Sequence, residues 1–200
     1  MSVSNYSELQ TAVANWLHRS DLGTVIPDLI LFGEKRIFRE IRVRDMETAL
    51  NSTIASGVIA VPSDYLDLKF AYVDGNPTQQ LQRATASQVY NEYPLRTSTA
   101  KPRLIAREGS NFIFGPYPDS AYTIKGIYYA EPTSIQSTSN AVFVANPDLY
   151  LFASLVEAAK YINDQQRLAL WEEQYQQAKM LVQKQETEYG SGGGLTVAAA

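Results

Sequence analysis

Glu34 with Glu40, and Glu172 with Glu173, are the residues whose type could do chemistry in this sequence. Two carboxyls flanking a glycosidic bond, one protonated and one ionised, hydrolyse glycans. The spacing does not deliver such a pair. Neighbouring residues on a helix point about 100° apart, so Glu172 and Glu173 cannot converge on one bond. Glu34 and Glu40 lie six positions apart and diverge as well. All of them read as solvated helix charges. The single histidine, His18, has no serine or cysteine motif beside it and reads as a cation at a helix C-terminus. The glycine run at 190–194 follows a helix, carries no lysine and opens no helix, so it is no phosphate loop. With no cysteine, a thiolate nucleophile, a disulfide framework and a zinc–thiolate site are excluded. No catalytic set, metal or cofactor is expected.

Two other groups of residues suit binding. Lys35, Arg36, Arg39, Arg42 and Arg44 form a basic run that could line a channel and hold nucleic-acid phosphates without reading sequence. The plainer reading is an exposed helix face paired with Glu34, Glu40, Asp45 and Glu47. A formal net charge of −4 argues against a general nucleic-acid-binding protein. Beyond the flexible 190–194 linker, Leu195-Thr196-Val197 is the stretch with apolar, β-branched character. It could add as a strand to a partner's edge or fill a shallow pocket. The 13 tyrosines suit either an interface or half-buried strands.

The elements that must position these residues read as helices, then strands, then helices. Asn5 caps a first helix bearing Tyr6, Leu9, Val13, Trp16 and Leu17 on one face, with Glu8 completing a capping box. Pro27 sits in the first turn of a second helix that runs to about Arg44. From Glu47 the apolar period changes to two. Strands are expected at 48–55, 58–61, 66–73, 103–107, 111–114 and 121–129, with a short helix at 85–93. Asn146-Pro147-Asp148 opens a nearly buried helix, and a last helix carries Leu168, Trp171, Tyr175, Ala178, Val182 and Tyr189 on a narrow seam. The expected fold class is α+β: a four-helix core of two N-terminal and two C-terminal long helices, with a central antiparallel β-rich insertion. Its parts are 1–46, the N-terminal helices; 47–145, the insertion; 146–189, the C-terminal hairpin; and 190–200, a flexible tail. No apolar run approaches the ~20 residues that cross a bilayer, and the N-terminus lacks a signal peptide's order. A soluble, unsecreted protein is expected.

Several landmarks then follow in order. Glu34-Lys35-Arg36-Ile37-Phe38-Arg39-Glu40-Ile41-Arg42 precedes Val61-Pro62-Ser63-Asp64-Tyr65-Leu66, Leu81-Gln82-Arg83-Ala84-Thr85 and Lys101-Pro102-Arg103. Phe114-Gly115-Pro116-Tyr117-Pro118-Asp119, Tyr128-Tyr129-Ala130-Glu131-Pro132 and Asn146-Pro147-Asp148-Leu149-Tyr150-Leu151-Phe152-Ala153 come next. Leu155-Val156-Glu157-Ala158-Ala159 and Trp171-Glu172-Glu173-Gln174-Tyr175 close the set. As an ordered set, over about residues 5 to 189, they resemble the head-to-tail adaptor (connector) proteins of tailed bacteriophages, short-tailed ones in particular. The resemblance implies a non-enzymatic virion protein at the head–tail interface, assembled in the host cytoplasm. It implies a homo-oligomeric ring, usually dodecameric, docked on the portal protein and facing tail nozzle or fibre proteins, with DNA passing along the axis. Arg36, Arg39, Arg42 and Arg44 would then be DNA-channel residues, and Leu195, Thr196 and Val197 portal-binding ones. The alternatives are a virion-associated cell-wall hydrolase or a carbohydrate-binding tail protein using the tyrosine-rich strands.

Overall fold

The computed structural model describes residues 3–95, 97 and 99–190, and it divides into two compact units. Met1–Met46 with Pro132–Ala200 make one; Glu47–Glu131 make the other.

The first unit is helical. Helix α1 (Tyr6–Leu17) starts where Asn5 accepts a hydrogen bond from the Glu8 amide at 2.9 Å. The Glu8 carboxylate reaches back one residue further than a standard capping box, accepting from the Ser4 amide at 2.7 Å. Helix α2 (Ile26–Glu40) ends earlier than its charge pattern suggests, because Ile41 turns extended and is followed by a 3-10 turn, Arg44–Met46. A short α4 (Ala141–Ala145) leads into α5 (Pro147–Tyr161), which has proline at its start, where the missing N–H costs little. Asn163, with φ of 56°, then reverses the chain into α6 (Gln165–Gly190).

Helix α5 is the centre of this unit, packing against α1, α2, α4 and α6. Leu149, Tyr150, Leu155, Val156, Ala158 and Ala159 are all buried. Gly33 lets α2 approach closely: a β carbon there would lie 2.9 Å from the Ser154 amide nitrogen. Among its described side chains, helix α6 buries only Trp171, Tyr175, Ala178 and Val182, the middle of the narrow seam its sequence spacing implies.

The second unit is a seven-stranded sheet in the order β1-β7-β3-β4-β5-β6-β2. The strands are β1 (Glu47–Thr53), β2 (Val58–Ala60), β3 (Tyr65–Val73), β4 (Gln79–Arg83), β5 (Leu104–Glu108), β6 (Asn111–Gly115) and β7 (Thr123–Ala130). Its two edge strands, β1 and β2, are consecutive in the chain. Ser56 and Gly57 join them, with φ of 51° and 80°. Positive φ at both central residues suits the type I′ hairpin turn, whose twist matches the flanking strands. The sheet therefore curls almost shut, like a barrel. Leu50, Leu68, Val73, Ile105, Phe112 and Ile124 fill its interior. Helix α3 (Ala86–Glu92), capped by Thr85, buries Val89 against Leu104, Ala106 and Ile113 on the outer face.

The expectation of a four-helix core with a central antiparallel insertion is overturned. The described residues form six α-helices and a nearly closed barrel-like sheet with its own core, and β4 runs parallel to β5. The missed strand explains most of the error. Gln79-Gln80-Leu81-Gln82-Arg83 carries one apolar side chain, so β4 has no visible alternation. The missed helix α4 is five residues long, too short to show a helical period.

Candidate functional site

The charged side chains singled out in the sequence converge where α6 runs beside α2, within the helical unit. Arg36 and Glu40 share one face of α2, four residues apart. Glu172, Tyr175, Gln176 and Lys179 share one face of α6 at three-four spacing. The Arg36 guanidinium grips Glu172 with both terminal nitrogens, at 2.9 and 2.5 Å, and donates from Nε to Glu40 at 2.8 Å. Its plane lies over the Tyr175 ring, 4.3 Å from the centroid. Glu157 from α5 stands 4.0 Å away. Glu40 in turn accepts from Lys179 at 2.8 Å and from the Tyr175 hydroxyl at 3.1 Å, while Gln176 donates to Glu172 at 2.8 Å. The planar, multi-donor fork of arginine suits this role, which lysine could not fill.

Electrostatics follow from those contacts. The hydrogen bond from Arg36 pulls the Glu172 carboxyl down to about 2. For Glu40, burial pushes upward, but hydrogen bonds from Lys179 and Arg36 outweigh it and lower the carboxyl overall. Burial, reinforced by Glu40, raises the Tyr175 hydroxyl. A glycosidase acid needs a carboxyl raised enough to hold a proton near neutrality. Here two carboxylates meet on one arginine and both are held ionised. Their combined chemistry is to clamp α6 onto α2.

The other basic residues go elsewhere. Arg42 donates to the Phe38 carbonyl at 2.7 Å and to that of Ile41, filling acceptors that the end of α2 leaves open. Arg44 is half exposed; its Nε lies 3.6 Å from Glu186, whose carboxylate also accepts from the Arg44 amide at 3.2 Å. Arg39 is exposed on α2. Leu195, Thr196 and Val197 lie outside the described residues.

Glu34 departs most from its sequence reading. It is 1% exposed, not solvated. Its carboxylate accepts from the Ser134 hydroxyl at 2.7 Å and the Ile135 amide at 2.9 Å, pinning the segment that returns the chain to the helices. Asn140 anchors the same segment: it donates to the Thr133 carbonyl and accepts from the buried Tyr150 hydroxyl at 3.2 Å. The signal was present, since Glu34 falls in register with Ile30, Ile37 and Ile41 on the apolar face of α2. Glu34→Gln keeps one acceptor oxygen and should cost about 1–2 kcal/mol, whereas Glu34→Ala orphans both donors and should cost about 3 kcal/mol. Urea denaturation of both variants checks the order; equal losses would mean that the hydrogen bonds contribute little.

The geometry therefore defines a scaffold, with charged groups that hold helices together. Among the described residues, no group of three or more His, Asp or Glu side chains is placed to hold a metal ion, and no helix is long and apolar enough to cross a membrane. Residues 4–197 match the family model described as SU10 adaptor protein. The chain belongs to this adaptor family, in agreement with its resemblance to phage head-to-tail adaptors, and its role is that of a structural virion component. No curated protein matches the sequence.

Proposed function

We propose that copies of this chain form a closed ring, dodecameric as in the adaptors it resembles, that joins the portal protein to the tail nozzle or fibres. The observation that carries this reading is the family match over nearly the whole chain. Helix α6 supports it, because Leu170, Met180 and Leu181 are 55%, 65% and 66% exposed and lie off the buried seam. Large apolar side chains left outside a helix seam suit a neighbouring subunit of limited contact area. DNA passes through the ring in this reading, beside the basic stretch Arg36, Arg39, Arg42 and Arg44. Phosphate contact falls first to the exposed Arg39, since Arg36, Arg42 and Arg44 all bind groups of their own unit. Leu195, Thr196 and Val197 reach the portal on the 190–194 linker.

The deciding experiment is electron microscopy of the full chain with and without its portal. Rings on the portal, and small species alone by light scattering, are the expected result. Stable rings at low micromolar concentration without portal would remove the templating step. A chain truncated after Tyr189 should melt at the same temperature yet bind the portal less tightly; equal affinity would sink the role of the tail.

A further inference from the structure

Two exposed rows of side chains flank the arginine clamp of the helical unit. On α2 the row is Asp28, Phe32, Lys35 and Arg39; on α6 it is Leu170, Glu173, Gln177, Met180 and Lys184. Each keeps the three-four spacing of a single helix face. Phe32 and Leu170 are both 55% exposed. The buried sides of the two helices, with Gly33 and Ile37 on α2 and Trp171 and Ala178 on α6, pack towards α5. Both rows therefore point away from α5, on one side of the unit.

The two helices run in the same direction. Arg36 with Glu172, Glu40 with Lys179 and Arg44 with Glu186 are separated by 136, 139 and 142 positions, so rising numbers on α2 meet rising numbers on α6. Phe32 with Leu170, and Lys35 with Glu173, have separations inside that range and stand level along the helices. Their charges are complementary. The α2 row is basic at Lys35 and Arg39, while the level stretch of the α6 row carries an acid at Glu173 and an amide at Gln177.

We propose that two copies of this chain, free of the portal, pair face to face through these rows about a two-fold axis parallel to the helices. Rotation about such an axis keeps the direction and the level of every helix, so α2 of one copy lies on α6 of the other. Phe32 then meets the second copy's Leu170, and Lys35 meets its Glu173, with Arg39 beside its Gln177. Each contact occurs twice, as in any isologous interface. Opposite charges at the rim fix the register. Two helix rows per copy are a small contact, so the pair is weak and reversible. Its role rests on the ring reading: the pair covers α6 side chains that a ring neighbour needs, and so holds free subunits back until the portal is present.

The sequence has no cysteine, so the full chain carrying both Phe32→Cys and Leu170→Cys has thiols at these two positions alone. Oxidised without portal, it should run as a covalent dimer on a non-reducing gel, while either single variant stays monomeric. A ladder of higher species would overturn the two-fold pairing, and a monomer would overturn the contact itself. Charge is tested separately, by sedimentation of the cysteine-free chain. Lys35→Glu should weaken dimerisation roughly tenfold, because two attractive pairs become repulsive, and adding Glu173→Lys should restore it. An unchanged single variant, or no recovery in the double one, would overturn the register. With portal added, the oxidised dimer should form rings only after reduction. Rings from the oxidised dimer would overturn the holding role. Absence of rings even from the native chain would refute the ring reading instead, and the covalent dimer would still establish the pair.

Discussion

Gly126→Ala is expected to destabilise the β unit by about 3 kcal/mol or more, the upper range for forcing extra volume into a packed core. Gly126 faces the barrel interior on β7, between Leu50 of β1 and Ala71 of β3. Strand β3 has a bulge between Leu68 and Phe70, and bulges bend a strand locally. A β carbon on residue 126 would meet the Phe70 carbonyl oxygen and lie 2.8 Å from the Ala71 α carbon. Both obstacles are backbone, so no rotamer change relieves them. Either β3 shifts or its pairing with β7 breaks. Amide hydrogen exchange reads this directly, because β3 and β7 amides should lose protection by about two orders of magnitude or more. Unchanged protection at residues 124–128 would show that the strand has room to move.

Residues whose local signal and tertiary environment agree were legible in the sequence. Asn5 and Pro147 mark helix starts by chemistry that acts within one turn, and both do so here. The α6 seam was legible too, since Trp171, Tyr175, Ala178 and Val182 keep three-four spacing. What failed was long-range. Leu81 is the one apolar residue of β4, and what makes 79–83 a strand is pairing with residues 71–73 and 104–105, far off in the chain. Curling of the sheet depends on Ser56 adopting positive φ, which a serine does not announce. For the same reason a barrel-like unit read as an insertion.

The site divides in the same way. The three-four face of α6 holding Glu172, Gln176 and Lys179 can be drawn from spacing alone, but nothing in the sequence says that α2 lies opposite. Glu172 therefore read as a surface charge, although its partner Arg36 is separated from it by 136 positions. Lys35, Arg36 and Arg39 form a single basic run in sequence. Helical geometry sends Arg36 to α6 and leaves Lys35 and Arg39 exposed, so proximity along the chain overstated their common purpose.

Arg36→Met should have the second large effect, and its size should depend on pH. At neutral pH the change leaves Glu40, Glu157 and Glu172 close together with their shared cation gone. Removing one partner of a buried charge pair costs about 3–5 kcal/mol; with Glu172 about a third exposed, screening reduces the expected loss to about 2–3 kcal/mol. The sign with pH follows from Glu172, whose carboxyl is depressed from an ordinary 4.5 to about 2. A depressed carboxyl adds stability that is complete above the unfolded value and disappears as pH falls towards the folded one. The native chain should thus lose stability between about pH 4.5 and 2 by this route, and Arg36→Met should lose less. The difference between the two proteins should shrink to about half or less at pH 3. Trp16 and Trp171 both belong to the helical unit, so tryptophan fluorescence in urea reports its unfolding. Equal losses at pH 7 and pH 3 would mean that stacking of the guanidinium on Tyr175, rather than its pairing with the carboxylates, holds α6 in place.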